Sequence, residues 1–141
     1  MTLEHDLVLA ELGRVPLFSG LDDDGMDRVA RVVSEAEAPA GHVLVQPAQP
    51  GTGMFVLQEG TAKVELPDRD IELGPGEFFG ELAILADGIP RTARVQAVSA
   101  VRCLAISRRD FAALLDECPQ IAVAMLPVLA QRLADTDRAH H

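Results

Sequence analysis

Between Pro39 and Pro90 the chain meets a glycine or proline every few residues, at 39, 41, 47, 50, 51, 53, 60, 67, 74, 75, 76, 80, 88 and 90. Proline removes a backbone donor and glycine costs a helix about 1 kcal/mol relative to alanine, so no long helix fits here. The stretches between the breaks are largely apolar: Val43-Leu44-Val45, Met54-Phe55-Val56-Leu57, Thr61 to Leu66, Arg94 to Val98 and Val101 to Ile106. Thr61-Ala62-Lys63-Val64-Glu65-Leu66 alternates polar and apolar residues, the period of a strand with one buried face. Short strands with turn signals at this spacing predict an antiparallel β barrel or jelly roll over residues 35–107.

Both flanks read as helix. Val8, Leu12 and Val15 recur at helical spacing until Pro16-Leu17-Phe18 interrupts them. Asp22, Asp23 and Asp24 offer N-caps for a second helix carrying Met26, Val29, Ala30 and Val33 on one face. Beyond the strands, Ser107 and Asp110 resemble a capping box ahead of Phe111, Leu114 and Leu115. Pro119 suits the first turn of a further helix, whose stripe of Ile121, Met125, Val128, Leu129 and Leu133 extends to about Arg138. Pro127 inside that stripe predicts a kink or a restart. The expected organisation is one domain over 1–138: helices at 1–34, strands at 35–107, helices at 108–138. Residues 139–141 are a tail, and His140-His141 is set aside as resembling a purification tag. The fold class is mainly β, an antiparallel jelly-roll barrel with helices at both ends.

Charge narrows the function. The 141 residues carry a formal net charge of −10, and the tightest basic group, Arg102, Arg108 and Arg109, is small. Nucleic-acid affinity depends on Lys and Arg displacing counterions, so direct binding to DNA or RNA is not expected. No apolar run approaches the roughly 20 residues of a membrane span, and Met1 to Leu12 shows no secretory leader, so the expectation is a cytoplasmic chain away from membranes. Cys103 and Cys118 form no metal motif and read as reduced core residues. No Ser-His-Asp or Cys-His grouping stands out, and the histidine cluster of jelly-roll metalloenzymes is missing. The expectation is therefore no catalytic residue, no metal and no cofactor.

One stretch carries chemistry. Phe78-Phe79-Gly80-Glu81-Leu82-Ala83-Ile84-Leu85 is followed at once by Asp87-Gly88-Ile89-Pro90-Arg91-Thr92-Ala93, which sets a carboxylate and a guanidinium ten residues apart. Amides at Gly80, Leu82 and Ala83 open a predicted helical turn, and such N–H groups attract anions. Arg91 can clamp the same anion, while Glu81 can accept hydrogen bonds from hydroxyls. A compact ligand bearing both phosphate and ribose satisfies every part. Phe78 and Phe79 read as core residues, and His42 as structural.

Helices, a glycine-punctuated jelly roll, then helices, with Gly-Glu-Leu-Ala and Pro-Arg-Thr-Ala in this order, resemble the cyclic nucleotide-binding domain family. Leu17-Phe18-Ser19-Gly20-Leu21 looks like its opening motif, Phe55 to Val64 like its central hairpin, and residues 78–93 like its phosphate-binding cassette. The resemblance implies that Glu81 accepts from the ribose 2′-hydroxyl, with Gly80 allowing close approach of the sugar. Arg91 would pair with the cyclic phosphate, and backbone N–H groups of Leu82, Ala83 and Thr92 would complete the cradle. Val64, Arg132 and Thr136 match positions that touch the base. Leu129 to Thr136 is similar to the dimerising helix of bacterial activators, which implies a homodimer through the C-terminal helices and an effector protein as partner. The implied ligand is cyclic AMP, preferred over cyclic GMP on family prevalence. The alternative reading is an interaction module that keeps the fold without nucleotide control.

Overall fold

The computed structural model describes residues 3–45, 53–66, 68–80 and 94–139. Two helices, α1 (Leu3–Gly13) and α2 (Asp23–Val32), precede eight strands: β1 (Ser34–Ala38), β2 (Val43–Val45), β3 (Gly53–Glu59), β4 (Ala62–Glu65), β5 (Asp70–Leu73), β6 (Phe78–Phe79), β7 (Arg94–Ala97) and β8 (Val101–Ser107). Helices α3 (Arg108–Glu117) and α4 (Pro119–Ala139) follow.

The strands form two antiparallel four-stranded sheets, in the orders β1-β8-β3-β6 and β2-β7-β4-β5. This is the antiparallel β architecture with helices at both ends that the sequence predicted; among the described residues no strand pairs from one sheet to the other. Strand alternation builds two cores from the first sheet. Met54, Val56, Phe78, Leu104 and Ile106 face the helices and pack with Leu12, Phe18, Val29, Phe111, Leu114, Ile121 and Met125. Their neighbours Leu57, Phe79, Val101 and Cys103 face the other way and meet Val45, Ala62, Leu73, Val95 and Ala97 of the second sheet.

Local chemistry fixes the helix starts. Asp22 caps α2 by accepting from the Gly25 N–H at 2.8 Å. Ser107 caps α3 by accepting from the Asp110 N–H at 3.1 Å. α4 starts at Pro119 and runs unbroken past Pro127, so the predicted restart does not occur. The proline withdraws a donor from the carbonyl four residues back, that of Val123. Val123 is among the most exposed apolar residues of the chain, so water can serve that carbonyl. The stripe on α4 also differs from the sequence reading. Ile121 and Met125 are fully buried and Leu129 partly so, whereas Val128 lies at the exposed rim.

Three strands lack a counterpart among those read from the sequence. β1 is Ser-Glu-Ala-Glu-Ala, with almost no apolar signal, and forms because its backbone pairs with β8 from Ser34↔Ala105 to Ala38↔Val101. β5 pairs with β4, and β6 is only two residues long. No single helix among the described residues is long and apolar enough to cross a membrane. α3 with α4 up to Arg132 passes by composition, but the two are bent 108° apart and their apolar residues supply the helix-side core.

Candidate functional site

Residues 81–93 lie outside the described residues, and with them Glu81, Leu82, Ala83, Arg91 and Thr92 of the expected site. They are flanked by β6 before and β7 after. On the N-terminal side stands β6, paired with β3 through Phe55↔Phe79 and Val56↔Phe78. Because successive side chains point to opposite faces, Phe78 enters the helix-side core and Phe79 the core between the sheets. Phe79 stacks on Phe55, with ring centroids 5.2 Å apart and planes 18° from parallel. Both phenylalanines are buried, as the sequence suggested.

Gly80 comes next with φ +89°, a left-handed conformation that a side chain disfavours. The backbone therefore leaves β6 in a direction that glycine alone takes readily. On the C-terminal side the chain enters β7 at Arg94, whose Nε and Nη2 each donate to Glu65 of β4 at 2.7 Å. The pair holds the Glu65 carboxyl below its ordinary range, chiefly through those hydrogen bonds. Segment 81–93 thus joins the edge strand of one sheet to an inner strand of the other.

Two of the expected base-contact residues are visible in full. Val64 on β4 lies opposite Ile71 and Val95 and is half-buried against the core between the sheets. Arg132 on α4 reaches back to β6: its Nη2 donates to the Phe78 carbonyl, and its guanidinium carbon lies 4.5 Å from the centroid of the Phe78 ring. Thr136 is four residues further along the same helix, and its side chain is outside the described residues. The structure thus brings Gly80 and Arg132 to the same end of the first sheet, and sets Val64 in the second. The Arg132–Phe78 and Arg94–Glu65 contacts carried no sequence signal, since 54 and 29 residues separate the partners.

The other charged centre lies on β8, an inner strand of the first sheet next to its far edge β1. Arg102 on β8 donates to Glu35 at 3.1 Å, to Glu11 at 3.1 Å and to Glu59 at 3.2 Å. It lines a cleft of about 520 Å³ with Val8, Ala30, Val33 and Leu104. Three carboxylates around one guanidinium leave no positive patch at this point. Among the described residues no group of His, Cys, Asp and Glu is placed to hold a metal ion.

Two antiparallel sheets packed through a common core, with helices on the other face of the first, define a mainly β domain with helices at both ends. The family model of the cyclic nucleotide-binding domain matches residues 35–118, and the chain belongs to this family. It is 39% identical over 108 residues to a cyclic nucleotide-gated potassium channel of Mesorhizobium japonicum, covering 77% of this chain and 30% of the channel. The catabolite activator protein of Thermus thermophilus has a similar structure, with TM-score 0.72 and 30% identity over 86% of this chain and 60% of that one. The regulatory domain of Toxoplasma gondii PKA, solved with cAMP, gives TM-score 0.68 and 29% identity over 79% of this chain and 44% of that one. The chain spans about a third of the length of the channels it matches.

Proposed function

We propose that this chain is a non-catalytic, cytoplasmic sensor of cyclic nucleotides that prefers cyclic AMP to cyclic GMP. The observation that carries the reading is the family match over residues 35–118, which spans the whole Gly80–Arg94 bridge. Gly80 and Glu81 hold the ribose, and Arg91 with the amides of Leu82, Ala83 and Thr92 holds the cyclic phosphate. Val64, Arg132 and Thr136 meet the base. The positive φ of Gly80 supports a close approach of ligand to backbone at that point. A singly charged phosphodiester leaving water needs a fixed cation and several amides to replace its hydration, and the cassette sequence offers both.

Signalling follows as a population shift, in which nucleotide favours the arrangement that engages both phosphate and base and so moves the cassette and α4. The outer face of α4 supports a homodimer contact, since Val123 and Leu126 are 66% and 62% exposed beside the small Ala130.

Calorimetric titration with cyclic AMP and cyclic GMP, followed by sizing of free and bound chain, tests the reading. Removing one partner of a buried charge pair costs roughly 2–5 kcal/mol, so Arg91→Ala should weaken binding ~30- to several-thousand-fold with the fold intact. Unchanged affinity in the folded variant removes Arg91 from the site. No binding of either nucleotide by the wild type leaves the ligand-independent interaction module.

A further inference from the structure

Among the described residues β6 is the edge of its sheet, and half of its backbone groups point away from the partner strand. The Leu57 N–H donates to the Glu77 carbonyl at 2.9 Å, so the Glu77 oxygen faces β3. Carbonyls alternate along an antiparallel strand, and the next one, that of Phe78, therefore faces outward. This acceptor sits beside a phenylalanine that is only 3% exposed, where an unpaired carbonyl is costly.

Arg132 supplies the donor. Its Nη2 hydrogen-bonds the Phe78 carbonyl while its guanidinium carbon sits over the Phe78 ring, 4.5 Å from the centroid, so one side chain grips both the backbone and the side chain of one residue. A guanidinium suits this double role because it is planar, always charged and weakly hydrated; an ammonium has neither the fork nor the stacking face. Two residues past Phe78 the chain turns through Gly80 into segment 81–93. Arg132 also stands five residues beyond Pro127, on the part of α4 that follows the donor lost to proline.

We propose that Arg132 is a positioning residue, a clasp that fixes the C-terminal half of α4 to the root of the nucleotide cassette so that displacement of either moves the other. The clasp is made from groups of this chain alone, and it adds to any contact between Arg132 and a base. Its signalling consequence rests on the cyclic-nucleotide reading; its mechanical part does not.

Amide hydrogen exchange on the full chain, with Arg132→Ala, Arg132→Lys and Phe78→Leu variants, tests both parts. Without nucleotide, Arg132→Ala should exchange about tenfold faster at amides from Val128 to Arg132, the scale of one charge-assisted hydrogen bond with a cation–π contact. Amides of β7 and of β4 should keep their wild-type rates. Arg132→Lys should behave closer to the alanine variant than to wild type. Unchanged rates in α4, or an equal acceleration throughout the chain, overturn the clasp. With saturating cyclic AMP, the wild type should show altered exchange in α4, and Phe78→Leu, which removes the ring under the guanidinium but leaves Arg132 for the base, should lose much of that response while β7 and β4 are still protected. A full α4 response in folded Phe78→Leu overturns the transmission. If cyclic AMP changes exchange nowhere in the wild type, the functional reading falls, and the measurement without nucleotide still decides the clasp.

Discussion

Arg94 and Glu65 face each other across β4 and β7 and share two hydrogen bonds of 2.7 Å in a fork-to-carboxylate pair. The geometry is ideal for an ion pair, but the side chains are 41% and 25% exposed, so water competes for both. The pair sets where the chain re-enters the second sheet more than how stable the fold is. A double-mutant cycle with Arg94→Ala and Glu65→Ala, read by urea unfolding, should give a small coupling that shrinks at 1 M salt. A coupling unaffected by salt would mean that the pair is held by packing instead of charge.

Gly60 follows β3 with φ +87°, and a Cβ built there would run into the carbonyl oxygen of Ala100. The turn after it is tied to the β7–β8 turn: Thr61 N–H donates to Ser99 Oγ at 3.0 Å, and Val98 N–H to the Thr61 carbonyl at 2.8 Å. Gly60→Ala combines left-handed strain with a backbone clash and should cost about 2–6 kcal/mol, visible as a large drop in the thermal midpoint. Gly20→Ala, where a Cβ meets nothing within 4 Å, is the control and should change stability little.

Glu11 ties α1 to the sheet through Arg102, and that hydrogen bond is the main reason its carboxyl titrates below the ordinary 4.5. A carboxyl depressed in the folded state takes up its proton first in the unfolded chain. Its stabilisation is therefore complete above the unfolded value and fades as pH falls through about 4.5 toward the lower folded value. Unfolding free energy measured from pH 6 to pH 3 should fall less steeply in Glu11→Gln than in wild type. Equal slopes would assign the acid sensitivity to other carboxylates.

Both cysteines are buried, and burial pushes the Cys103 thiol up to about 11 and raises that of Cys118 as well. The nucleophile is the thiolate, so neither should react readily at pH 8 in the folded chain. A chromogenic disulfide reagent should titrate no thiol rapidly in buffer and two in 6 M guanidinium. Fast labelling of one thiol without denaturant would show that part of the helix-side core, or of the core between the sheets, opens locally.

The sequence was most legible where the signal is local. Asp22 and Ser107 cap the helices that their side chains announced, and the breaks from Pro39 to Pro90 do exclude long helices from the described strands. Pro127 illustrates a local rule overridden: exposure at Val123 lets solvent replace the lost partner, and burial of Ile121 and Met125 keeps the helix whole. β1 was hidden for the opposite reason. Ser-Glu-Ala-Glu-Ala has no apolar face to recognise, and it is a strand because β8 supplies its hydrogen bonds.

For the site, sequence alone determined the inventory: a glycine, a glutamate and an arginine at cassette spacing after a run of short strands, enough to identify the family. Spacing along the chain encodes turns and helical faces, because those are set by neighbouring residues. Only the tertiary structure decided which strands frame segment 81–93 and what Arg132 holds. Such choices depend on contacts across 54 residues in one case and 29 in the other, where pairing is fixed by the docking of sheets and helices and not by any local pattern. Phe78 shows the division clearly. Its apolar character told that it would be buried, but only the edge position of β6 gave it an outward carbonyl for Arg132 to hold.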